Sequence, residues 1–154
     1  MKKLIFAFLL LLVASAPSQA CRPAYMSFSP VFAPGANQLS VDELHRLLEW
    51  REKTRTAFPN SGEYIVVAPA DKALGVPDNL AEQRLQSLIG LLRNIGVPQS
   101  DVLYAEVHQR GSGKILPTDK TVMQQALRDI NTASIEINPR CPHACCPGPT
   151  PIQP

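Results

Sequence analysis

The stretch from residue 64 to residue 107 constrains this chain most, because its apolar pattern changes period twice within it. Tyr64-Ile-Val-Val-Ala68 is a short apolar, β-branched run stopped by Pro69, too short for a buried helix and right for a strand. Beyond Asp71 and a loop holding Gly75 and Pro77, Asn79 stands as a helix cap, with Glu82 in the first turn. Leu85, Leu88, Leu92 and Ile95 then recur on one helical face. Gly96 ends the helix, Pro98 keeps it from resuming, and residues 101–107 read as a second strand. Arg84 falls four residues after Leu80 and four before Leu88, on the apolar stripe rather than the polar face. An acid closing a strand and an arginine leaning inward from the next helix put opposite charges near one mouth. The bare residues admit an Asp71–Arg84 salt bridge or a snorkelling arginine as readily as a ligand clamp.

The chain opens on Met1-Lys-Lys, an apolar run from Leu4 to Val13, and Ala14-Ser-Ala-Pro-Ser-Gln-Ala20. A basic tip, a short apolar core and a small-residue ending read as a secretory signal peptide over residues 1–20. The run is too short to span a membrane by itself. Cleavage after Ala20 leaves Cys21 first, where acylation would provide a membrane anchor; Pro17, Ser18 and Gln19 favour ordinary export instead. Losing Lys2 and Lys3 brings the formal charge of +2 to about zero, and no basic patch points to nucleic acid. Residues 21–138 suffice for one domain with a real core.

Within it, residues 25–29 open the sheet, with Phe28 or Phe32 packed inside. Ser40-Val-Asp-Glu43 reads as a capping box, and Val41, Leu44, Leu47 and Leu48 give the next helix its buried side. Trp50 lies off that stripe, half covering an edge. Pro59-Asn-Ser-Gly62 turns the chain back to the strand at Tyr64. After Val107, a Gly111-Ser-Gly113 loop leads to Thr118 as the cap of a third helix. Its expected buried side is Val122, Ala126 and Ile130, flanked by Met123 and Leu127. Ile135 and Ile137 alternate with Ser134 and Glu136 in a last strand. The order is β-α-β-α-β-α-β, an α/β chain with a mixed sheet against helices, and the alternation favours parallel pairing. Six prolines from Pro139 to Pro154 set the tail, residues 139–154, apart as an extended or disordered segment.

Asp71, then Leu80-Ala-Glu-Gln-Arg84-Leu-Gln-Ser-Leu88, Leu92 and Gly96-Val-Pro98 resemble the OmpA-like peptidoglycan-binding domain. That family carries an Asp after its second strand, an L-S-x-x-R-A-x-x-V helix and a G-I/V-P turn. Residues 33–44 resemble its first loop and helix, and Ser134-Ile-Glu-Ile137 its last strand, so the likeness runs from about residue 28 to 138. The chain departs from the pattern at Pro77, where the family has Asn, at Ala70 for Thr, and at Thr132 and Ala133 for arginines. The loop after Asp71 is also shorter. The resemblance implies an α+β sandwich and non-catalytic capture of the diaminopimelate head group of peptidoglycan. Asp71 would hold its ammonium and Arg84, by a bidentate fork, its carboxylate. It also implies a periplasmic or outer-membrane-associated protein. The alternative is a degenerate fold serving as a protein–protein module in an envelope or secretion assembly.

Four cysteines, Cys21, Cys141, Cys145 and Cys146, suit disulfides in an exported chain, with three connectivities open. Neighbouring Cys145 and Cys146 are poorly placed to bond each other. Cys21 lies just before the first strand and the others just past the last, so a bridge from Cys21 to one tail cysteine, tying the two ends of the domain, is the economical expectation. Thiolates and imidazole in Cys141-Pro-His143-Ala-Cys145-Cys146 also suit zinc or copper(I), yet the spacing is not that of a standard zinc site, and disulfides are expected in place of a metal. Neither a Gly-rich phosphate loop nor HExxH nor GxSxG occurs, and His45, His108 and His143 neighbour no obvious nucleophile. No enzyme activity and no cofactor are expected.

Overall fold

The computed structural model describes residues 25–111 and 119–141, together with His143 and Cys146. The expected leader, Cys21, Gly113, Thr118, Cys145 and the end of the tail lie outside the described residues. The elements are β1 (Ser27–Phe28), α1 (Val41–Ala57), β2 (Gly62–Ala70), α2 (Asp78–Asn94), β3 (Val102–Gln109), α3 (Lys120–Ile130) and β4 (Ser134–Pro139). Short 3-10 turns at Lys72–Leu74 and Gln99–Asp101 lead into α2 and β3.

The described strands form one mixed sheet in the order β1-β4-β2-β3. β2 runs parallel to β3 and antiparallel to β4, which in turn pairs antiparallel with β1. The expected order of elements is observed. Parallel pairing holds only for β2 and β3, the two strands joined through α2, because β4 slots between β1 and β2 and meets both head to tail. Pro69 does not end β2. The β4 ladder stops at Val67, so Pro69 stands where the strand has one neighbour left and a missing N–H is tolerated.

Alternate residues of the sheet face the helices. Tyr64, Val66 and Ala68 of β2 and Ile135 and Ile137 of β4 are buried, and they join Leu85, Leu88 and Leu92 of α2 in one cluster. Each fully buried leucine contributes about 1.5–3 kcal/mol by leaving water. α2 closes as its sequence demands: Gly96 takes a left-handed φ of 86°, and the Val97 N–H donates back to the Leu92 carbonyl at 2.9 Å.

α1 presents a different face from the one expected. Val41 and Leu48 are exposed, while Leu47, Trp50 and Thr54 are buried. Trp50 is a core residue: it stacks on Phe28, meets Tyr64 edge-on, and donates its indole N–H to the Tyr25 carbonyl at 2.9 Å. That bond removes the cost of burying a polar tip, so the largest side chain of the helix turns inward. Phe28 and Phe32 are both buried. Ser40 accepts from the Glu43 N–H as expected, yet the Glu43 carboxylate accepts from the Val31 N–H at 3.0 Å and pairs with Arg46 instead of closing the capping box.

The other caps shift too. α2 is capped at Pro77, which offers no side-chain acceptor, and Asn79 lies inside the first turn. α3 is capped by Asp119, whose Oδ1 accepts from the Thr121 and Val122 N–H groups. On α3, Val122 and Leu127 are exposed and only Ile130 is fully buried, because the helix lies against the rest of the molecule chiefly at its C-terminal end.

Candidate functional site

Asp71 follows β2 directly. Its backbone N–H and C=O bond those of Val76 at 2.8 and 3.0 Å, closing a tight loop in which Gly75 takes a φ of 85°. Its Oδ1 accepts from the Ala73 N–H at 2.9 Å and the Leu74 N–H at 3.4 Å. A carboxylate suits this place because the Ala73 N–H, in the first turn of the 3-10 helix, meets no backbone acceptor, while the Leu74 N–H is shared between Oδ1 and the Asp71 carbonyl at 3.1 Å. Asp71 is 5% exposed.

Arg84, in the second turn of α2, is 1% exposed. Its Nε donates to the Ala36 carbonyl at 2.8 Å, and its Nη2 to the Ala33 carbonyl at 3.2 Å and Asn131 Oδ1 at 2.8 Å. The guanidinium lies 4.8 Å from the centre of the Phe32 ring, a cation–π contact in a water-poor setting. Asn131 donates in turn to the Leu127 carbonyl at 2.7 Å, at the end of α3. Nη1 is buried without a hydrogen-bond partner among the described residues. Burial pushes the guanidinium pKa below its ordinary value, since desolvation penalises the charged form. Asp71 and Arg84 form no ion pair with each other, and Arg84 does not snorkel: the charge itself is inside.

Between the 31–35 loop, the 74–75 turn and residues 127–131 opens a cavity of about 350 Å³. Its walls are mainly apolar, with Arg128 and Asn131 as polar side chains. Phe32 and Asn131, both bound to Arg84, line it, as do Leu74 and Gly75 of the loop that Asp71 ties. The two charges expected at one mouth thus stand one layer behind it, Arg84 behind Phe32 and Asn131, Asp71 behind the 74–75 turn. Sequence reasoning missed Phe32 as the ring against Arg84, and missed Asn131 altogether. The only local signal for Asn131 was its position just past a helix end, where Asn is a common terminator.

Near the opposite end of β2 stand Cys141 and Cys146. Cys141 and Cys146 form a disulfide with Cα atoms 5.8 Å apart, a pairing within the tail that the sequence left open among others. The turn they close is fixed to the connection before β2. Asn60 donates to the Cys141 carbonyl and the Arg140 N–H to the Ser61 carbonyl, both at 2.9 Å. The His143 ring stands edge-on to Phe58, 5.7 Å between centres. Arg140 pairs with Asp101 at 3.0 Å, and that carboxylate raises the pKa of the guanidinium. Among the described residues no helix is long and apolar enough to cross a membrane.

No protein-family model matches the chain, and neither does any curated protein. Among solved structures, a MotB-like protein from Desulfovibrio vulgaris matches with a TM-score of 0.50 at 14% identity, over 75% of this chain and 77% of that one. The OmpA-like domain of FopA1 from Francisella tularensis matches with a TM-score of 0.44 at 10% identity, over 75% of each chain. The likeness to the MotB-like protein bears on fold alone, and there it agrees with the motifs: the chain has a divergent OmpA-like α+β fold.

Proposed function

We propose that this is an exported, non-catalytic envelope protein whose domain, residues 21–138, binds peptidoglycan through the diaminopimelate head group. The unpartnered Nη1 of buried Arg84 carries the reading. A buried cation without an anion is costly, and a ligand carboxylate entering past Phe32 and Asn131 supplies one. Asp71, beyond the 74–75 turn, takes the ammonium. Arg128 stands exposed at the rim. Two charge-assisted contacts of about 1.5–3 kcal/mol each suffice for a selective site.

The test is co-sedimentation of the protein with purified sacculi. Diaminopimelate-type sacculi should retain it, free diaminopimelate should compete, and lysine-type sacculi should not retain it. Asp71→Asn keeps the Oδ1 acceptor for Ala73 and Leu74 while removing the charge. It should weaken binding about ten- to a hundred-fold, with the melting curve recorded alongside to show that the variant is folded. Equal retention by both kinds of sacculi would refute the head-group assignment. A second reading, a protein–protein module in an envelope assembly, is favoured by β3, an edge strand with Leu103 64% and Tyr104 48% exposed. Wild-type protein that sediments with neither kind leaves that reading standing.

A further inference from the structure

Cys141, His143 and Cys146 bring their ligand atoms within 4.8 Å of one another, at the end of β2 away from the cavity. We propose that this turn is a redox-gated site for a single copper(I) ion. While the disulfide is intact, the two sulfurs hold each other and cannot serve a metal. A dithiol reductant opens the site by giving up two electrons and two protons and becoming a disulfide itself. The Cys141–Cys146 bond breaks and leaves two thiols. Copper(I) then displaces both thiol protons to solvent, forming two copper–sulfur bonds and one bond to an imidazole nitrogen.

Three observations support this beyond the proximity of the groups. The Cys141 side of the turn is tied independently of the disulfide, because Asn60 holds the Cys141 carbonyl and Ser61 holds the Arg140 N–H. Phe58 seats the His143 ring from the side. The backbone N–H of His143 donates to Cys146 Sγ at 3.1 Å, a contact that strengthens when the sulfur becomes a thiolate. Ligand chemistry selects the ion. Thiolates and imidazole favour soft metals over magnesium or calcium, and three donors satisfy copper(I), whereas structural zinc closes its shell with four.

The full chain, reduced with dithiothreitol and desalted without oxygen, is titrated with copper(I) against a chromophoric chelator. Reduced protein should take one equivalent and oxidised protein none. Cys141→Ser and Cys146→Ser should each abolish uptake. His143→Ala, which leaves both cysteines in place, should weaken it by about ten-fold or more, since even residues that only support a ligand cost ten- to a hundred-fold. Copper-edge absorption should show two sulfurs and one nitrogen. Uptake by the oxidised chain, full uptake by either serine variant through Cys21 and Cys145, an unchanged His143→Ala or an all-sulfur shell would each overturn the assignment.

Discussion

Where β2 begins, Gly62 lies so close to β4 that an added Cβ would overlap the Asn138 carbonyl and the Pro139 backbone; where β2 ends, the chain turns around Asp71 beside an internal guanidinium. The first end is held by ladder bonds, the Arg140–Asp101 pair and a disulfide, several ties that each do little alone. At the second, one side chain joins three segments: the loop after β1 through Ala33 and Ala36, α2 through its own backbone, and α3 through Asn131. Redundant ties tolerate loss. A single buried charge with dedicated acceptors does not, and a place so dependent on polar groups is also where a ligand can substitute for a missing contact.

Breaking the second end should therefore cost most. Arg84→Met keeps the apolar stem and removes every donor, stranding the Ala36 carbonyl and Asn131 Oδ1. Relief from desolvating the charge offsets part of that, and the net loss should be about 3 kcal/mol by urea unfolding. A loss within experimental scatter would mean that the loop holds itself.

Gly62→Ala tests the first end by steric overlap and should cost about 2 kcal/mol, with β4 exchanging amide hydrogens faster than β3. Opening the Cys141–Cys146 bridge should cost about 2 kcal/mol at most, because cysteines only five positions apart close a short loop. Peptide mapping of oxidised protein sharpens the point. With Cys141 and Cys146 joined, the expected tie between the chain's ends falls to Cys21 and Cys145. That bridge would close a far longer loop and dominate any stability lost on full reduction.

What the sequence disclosed follows physical lines. Leu88, Leu92 and the inward lean of Arg84 were legible because the α2 pattern has one apolar stripe and a Gly that ends it. α1 offers two candidate stripes, and a count of apolar residues favours Val41 and Leu48 over Trp50. The choice is made by Phe28, Tyr64 and a carbonyl at Tyr25, none of which is local. Asn131 is 47 residues from Arg84, and Glu43 12 from the Val31 amide that draws it out of its capping box. Motifs locate charged residues, but the acceptors that hold them come from elsewhere in the chain. Pro77 shows the converse. A departure first visible as a lost family Asn proves to be a helix cap without a side-chain acceptor.

The strand order also governs when the molecule can finish itself. β4 is the last described strand along the chain, yet it lies inside the sheet, between β1 and β2. A chain emerging from its N-terminus can assemble β2, α2 and β3 from one contiguous stretch. β1 has no strand to lie against until residues 135 and 136 arrive, and the Gly62–Val67 edge of β2 stays open for as long. Pairings so distant in the chain are expected to form late, and until they do the open edge of β2 is exposed to other chains. Trimming this chain at its C-terminal side would therefore remove the middle of the sheet and leave its margins apart.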